Sequence, residues 1–278
     1  MLKALRYDFY KIFKSKALLG VFVASVCLSF LDSFLVGFDH SDTSFGRHLN
    51  VPMLVQYLPL VFTVPFACKD FSSKFTKNVF PEYSLKDKIC YVLSKAVYIF
   101  AVNIIWYVVF FLSYYAFVSV RCHIQNVPFM FECVSYDGSI TTPAWQIIFV
   151  YFCVIINAFA LEMVLLFLSI LMKKEYFVLV FLVLYCALSP HMYDAFNTAM
   201  GVDEFGFRQF EWFTVFGMQS KLRSLYSSAE INIRKALYTR SFLISLGYSV
   251  LFGFLSCLAV SIKGTFKAKR TIYKGVKI

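Results

Sequence analysis

Glu162 is the residue in this chain whose type and setting carry the most chemical meaning. It stands inside the apolar run AWQIIFVYFCVIINAFALEMVLLFLSILM, eleven residues before Lys173. At 1.5 Å per helical residue it lies about 16 Å from that charge, near the middle of a hydrocarbon layer about 30 Å thick. Asn157 precedes it by five residues on the same run, and Asn103 follows Lys95 by eight, a rise of about 12 Å. An intramembrane carboxylate is costly and by default faces a bundle interior or a watery cavity. Asn103, Asn157 and Glu162 are therefore candidates for lining a translocation path. The alternative for Glu162 is a protonated or hydrogen-bonded packing residue.

Other reactive constellations are missing from the sequence. There is no G-x-x-x-x-G-K-[ST], so this chain does not itself cradle ATP phosphates. It has no H-E-x-x-H and no G-x-S-x-G. Cys122 and His123 are adjacent and the other histidines are scattered, which is not zinc-ligand spacing. No catalytic residue, metal site or cofactor of its own is expected. Cys122 and Cys133 share the stretch 121–143. A bridge between them would close about ten residues and contribute about 2–3 kcal/mol in an oxidising space, and two free thiols are the alternative.

The elements that must position these residues follow from composition. Of 278 residues, 60% are hydrophobic, 20% aromatic and only 15% charged, with a mean hydropathy of +0.69. A soluble domain carries about a quarter charged residues. Apolar runs near 20 residues recur, the length that crosses a bilayer. The expectation is an all-α integral membrane protein, one transmembrane domain over 1–278, with six spans at 17–38, 51–67, 92–120, 144–172, 176–189 and 241–262. The first apolar run is too long for a signal peptide and lacks a small-residue cleavage site after it, so it is expected to be retained.

Charge sets the orientation. With the N-terminus in the cytoplasm, segments 1–16, 68–95, 173–175 and 263–278 hold 19 of the 27 Lys and Arg. The positive-inside rule requires that asymmetry, so both termini are expected inside. The same clustering accounts for the net charge of +11 and excludes a folded basic face for nucleic acid. Within 1–16, Leu2, Leu5, Phe9 and Ile12 form a stripe largely free of Lys3, Arg6, Lys11 and Lys14. That pattern predicts an amphipathic helix in the inner headgroup layer, against membrane lipid. The external stretch 190–240 is long enough to carry structure of its own, partly helical or, at 205–218, re-entrant.

The polar island 68–95 is patterned. Ser72 and Ser73 can cap a short helix that Pro81 then stops. Such a helix would dock on another protein, whereas a solvated basic loop is the plain alternative. In order, the chain shows a basic amphipathic N-terminus, two spans, D-F-S-S-x-x-x-K-N, a Ser-Lys pair and further spans. This layout resembles the type 2 ABC transporter permease family, and within it the six-span permeases of bacterial peptide and bacteriocin-immunity exporters. Asp70, Phe71, Lys77, Asn78, Ser94 and Lys95 match the family pattern, while Lys74 and Phe75 replace its usual Gly-Thr and Leu85 replaces a basic residue.

The resemblance implies that 68–95 is a cytoplasmic coupling loop whose helix contacts a separate ABC ATPase. Asp70, Phe71, Phe75, Lys77, Asn78 and Phe80 would form that contact, with ATP and Mg bound on the ATPase. It also implies a homodimer, or a heterodimer with a related permease, in a bacterial plasma membrane, exporting an amphipathic peptide, antibiotic or lipid-like compound. Two other functions compete. The substrate-binding subunit of an energy-coupled importer should lack a rich coupling loop, and an intramembrane enzyme would need a second catalytic group at the depth of Glu162.

Overall fold

The computed structural model describes residues 10, 16–35, 84–126, 133–134, 141–142, 144–172, 176–178, 180–181, 183–184 and 231–275. The architecture is helical. Among the described residues four long helices dominate: α1 (Lys16–Leu35), α2 (Leu85–Ile124), α3 (Ala144–Met172) and α4 (Ile231–Gly275). Between α2 and α3, β1 (Cys133–Val134) and β2 (Thr141–Thr142) form one antiparallel pair, Cys133 opposite Thr142 and Val134 opposite Thr141. This two-residue pair leaves the all-helical class of the described residues unchanged.

Among the described residues, three stretches are long and apolar enough to cross a membrane: Leu85–Ile124, Tyr151–Met172 and Phe242–Ile262. In α1 the apolar helix Phe22–Leu31 is shorter. The predicted spans 51–67 and most of 176–189 lie outside the described residues, as do the amphipathic stripe of 1–16 and the stretch 205–218. Within 176–189 the described residues are helical.

Small polar groups face inward here and large apolar ones outward. In α1, Ser25, Ser29 and Ser33 are buried, whereas Leu19, Val23, Phe30 and Leu31 are exposed. In α4, Ser245, Ser249 and Ser256 are buried, whereas Leu243, Leu246, Val250, Phe254 and Leu258 are exposed. A water-soluble helix does the reverse. Lipid tails solvate leucine well, so inserted helices associate through small residues that allow close approach. Several serines satisfy their hydroxyls on their own helix: Ser29 donates to the Val26 carbonyl (2.8 Å), Ser33 to Phe30 (2.9 Å) and Ser249 to Ser245 (2.9 Å). That back-bonding removes the cost of carrying a hydroxyl into lipid.

Helix directions follow from the seams. Along α1 and α2, Phe30 stacks edge-on against Phe117 (5.3 Å), and four residues on, the Arg121 guanidinium lies over Phe34 (5.9 Å) and donates to the Ser33 carbonyl. Numbers rise together, so α1 and α2 run parallel. Between α2 and α3, Phe100 meets Phe159 (4.8 Å) and Tyr107 meets Tyr151 (6.1 Å), which makes them antiparallel. Between α3 and α4, Phe152 meets Phe242 (5.9 Å) and Phe167 meets Phe252 (5.7 Å), again parallel. Two buried clusters line these seams. One gathers Trp106, Phe110 and Tyr114 with Tyr151 and Val154; the other gathers Tyr98, Ile99 and Val102 with Met163, Leu166 and Val260.

Helix α2 begins inside the polar island. Ser84 caps it with an extended backbone (ψ 157°), accepting from the Asp87 amide at 3.2 Å and donating to the Asp87 carboxylate at 2.6 Å. A serine cap with an acidic group three residues on satisfies open amides and the positive end of the helix. Residues 85–95, read as cytoplasmic loop, are therefore the first three turns of α2. The helix has 40 residues, about 60 Å, roughly twice the hydrocarbon thickness. It ends where Asn126 takes a left-handed φ of 54°, a conformation asparagine tolerates better than most residues. Helix α4 likewise outruns its predicted span 241–262, continuing through 231–275.

Candidate translocation-path residues

Asn103, Asn157 and Glu162 are all fully buried, and the structure gives the two asparagines different partners. The Asn103 Nδ2 donates to the Ile155 carbonyl at 3.3 Å, joining α2 to α3. The Asn157 Nδ2 donates to the Ser245 hydroxyl at 3.1 Å, joining α3 to α4. Because Ile155 lies two residues from Asn157, both amides sit at nearly one level of the bundle, although counting residues from Lys95 and from Lys173 puts them at about 12 and 24 Å. They clamp two separate seams, and each is an interhelical hydrogen bond of the kind that holds helices together in lipid. Both Asn Oδ1 atoms are buried and accept no hydrogen bond among the described residues. Trp106 lies one turn beyond Asn103 with its indole N–H likewise buried and unsatisfied among the described residues. Buried polar atoms left open in this way mark where a polar group of another molecule or a water would be welcome.

Glu162 lies five residues past Asn157, about 7.5 Å further along α3. Ala158, Leu165 and Leu166, one turn away on either side, are buried with it. Its carboxylate therefore faces the interior of the helix bundle, the side that an intramembrane acid is expected to take. Along α3 it falls where one apolar cluster gives way to the other, between Ala158 and Met163.

Sequence reasoning missed Lys95. Taken as the boundary lysine of a cytoplasmic loop, it is fully buried, with its ammonium 5.3 Å from the Tyr91 ring centre and 6.0 Å from that of Tyr98. Lys88 is also buried. Signals were present: Tyr91, Lys95 and Tyr98 recur at four- and three-residue spacing, which stacks them on one helical face, and each ring presents a negative π face to a cation.

Cys122 is a buried thiol on α2 and is not bridged in the structure. It was expected in the loop 121–143. The helix instead runs on to Ile124, so Cys122 packs among Tyr114 and Val118. Cys133 begins β1 and its side chain lies outside the described residues. The proposed coupling residues Asp70, Phe71, Phe75, Lys77, Asn78 and Phe80 also lie outside them. Comparison of the sequence with protein-family models and with curated proteins found no match.

Proposed function

We propose that this chain is the membrane-spanning permease subunit of an ATP-binding cassette exporter, with six crossings and both termini in the cytoplasm. Helix direction is the observation that carries the six-span layout. Two parallel neighbours, α1 with α2 and α3 with α4, require the chain between them to return across the layer. The apolar runs 51–67 and 176–189 have the composition to make those two returns. Adding them to α1–α4 gives six crossings, and the excess of Lys and Arg in 1–16, 68–95, 173–175 and 263–278 orients them.

The resemblance of the island to a coupling loop assigns the partner. Helix α2 supports that role mechanically, because it starts at Leu85 inside the island and continues unbroken for 40 residues. A push on the loop from a cytoplasmic ATPase would move a rigid rod that carries Lys95, Asn103 and Trp106. The paired asparagine clamps and Glu162 would then be the polar groups that exchange partners as the path opens. The substrate in this proposal is an amphipathic peptide, antibiotic or lipid-like compound.

Affinity purification of the full chain from its own membranes tests this proposal. An ATPase with a phosphate-binding loop should copurify and hydrolyse ATP. An aromatic anchor in a desolvated pocket contributes about 2 kcal/mol or more, whereas a rim lysine contributes far less. Phe75→Ala should therefore weaken ATPase capture about 30-fold, and Lys74→Ala only slightly, with permease abundance unchanged. Equal capture by both variants with intact transport would reduce the loop to a topological anchor and remove the exporter assignment.

A further inference from the structure

We propose that the end of the bundle where α2 begins and α3 and α4 finish holds the phosphate of an anionic phospholipid, with the Lys88 ammonium as its main partner. Helix directions bring these three ends together, because α2 runs antiparallel to α3 and α3 runs parallel to α4. The α2–α3 register, in which Phe100 meets Phe159 and the Asn103 amide meets the Ile155 carbonyl, places Lys88 level with residues 170–171. On α4, Lys263 stands three residues after Val260, which belongs to the same buried cluster as Ile170. Two helices thus bring basic positions to within about one turn, 5.4 Å, of a single level.

Lys88 supplies the observation that points to a ligand. It is only 6% exposed. Tyr91 and Val92, three and four residues on, pack in the cluster that also holds Ile170 and Val260. Residues three and four apart share a helical face, so Lys88 turns into the same seam. Its backbone amide donates to the Ser84 carbonyl at 3.1 Å, but among the described residues its ammonium has no hydrogen bond or ion pair. The adjacent acid, Asp87, is exposed and accepts instead from the Ser84 hydroxyl at 2.6 Å. An ammonium withdrawn from water without a counter-charge is costly, and an anion entering the seam removes that cost.

The level selects a lipid. Exposed apolar side chains run as far as Leu171 and Met172 on α3 and Ile262 on α4, and Lys173 and Lys263 are the next residues in the chain. The hydrocarbon layer therefore ends close to the level of Lys88, where the headgroup region, about 5–8 Å deep on each face, begins. Lipid phosphates lie there, and basic pockets between membrane helices bind acidic headgroups in this way. The site depends on the packing of α2, α3 and α4 and on no ATPase, so it stands or falls separately from the exporter assignment.

Native mass spectrometry of the full chain in mild detergent tests it, by titration with phosphatidylglycerol and with phosphatidylcholine of the same acyl chains. The parent should bind the anionic lipid about fivefold or more tightly than the zwitterionic one. Lys88→Gln should abolish that preference, whereas Lys86→Gln, at an exposed position two residues earlier, should retain it. Inorganic phosphate at millimolar concentration should leave the lipid bound. Equal affinities of the parent for the two lipids would overturn the proposal without recourse to any variant. A full preference in Lys88→Gln would equally overturn it, and displacement by inorganic phosphate would replace the lipid with a free anion.

Discussion

Helices α3 and α4 look nearly alike as apolar segments. Their spanning stretches, Tyr151–Met172 and Phe242–Ile262, have 22 and 21 residues and mean hydropathies of 2.5 and 2.1. In the fold they differ sharply: 72% of the first window is buried inside the protein and only 22% of the second. Hydropathy decides that a helix enters the bilayer, because the cost of hydrating apolar surface depends on composition alone. It says nothing of which neighbour that helix takes. The polar residues do. On α4, Ser245, Ser249 and Ser256 lie at four- and seven-residue spacing, one stripe for one seam. On α3, Asn157 reaches α4 while Ile155 accepts from α2, so α3 has partners on two sides and becomes the centre.

The widest gap between the two regions should appear in large-to-small substitutions. Trp106→Ala removes a buried ring from the α2–α3 core and should cost about 3–5 kcal/mol. Phe254→Ala trims an exposed ring on α4 (65% exposure) and should stay within about 0.5 kcal/mol. Unfolding of both variants in nanodiscs measures the difference. A comparable loss from Phe254→Ala would break the comparison and place a protein partner on that face of α4.

A smaller effect should mark the seam that joins the two helices. Asn157→Ala deletes the amide that donates to Ser245, and interhelical hydrogen bonds in lipid contribute about 0.6 kcal/mol on average and up to about 1.7. A double-mutant cycle with Ser245→Ala should return a coupling in that range. Zero coupling would mean that shape alone holds α4 to α3.

The smallest shift is expected at Gly253, where an added Cβ would lie 3.3 Å from the Met163 terminal methyl. That methyl ends a flexible side chain and can move aside. The gain of about 0.5–1 kcal/mol from replacing glycine within a helix offsets the displacement. Gly253→Ala should therefore change stability by less than about 1 kcal/mol, measured by the same unfolding assay. A loss of several kcal/mol would show the α3–α4 seam to be far tighter there than the rest of α4.

Much of the candidate site was legible before the fold. The apolar runs of α2, α3 and α4 were visible as spans, and Glu162, singled out for standing inside one of them, is buried. Asn103 and Asn157 emerged at one level through the Ile155 contact, which residue counts from the nearest lysines did not give. Their partners did not emerge, because those lie 52 and 88 residues away in the chain. The start of α2 was misjudged for a local reason. Polar composition made 85–95 look like loop, yet the Ser84–Asp87 cap and the aromatic rows around Lys95 stabilise a helix there.

The sequence by itself determined that this is a helical chain built for a bilayer, since chain length per crossing and apolar composition are local quantities that the thickness of the hydrocarbon layer fixes. It also determined the distribution of basic clusters. Tertiary structure alone decided that α1 parallels α2, that α3 is central and α4 peripheral, and that Lys95 is buried among tyrosines. In lipid, apolar side chains are equally content against a tail or a neighbouring helix, so burial is assigned by small residues, hydrogen bonds and charge partners drawn from distant parts of the chain.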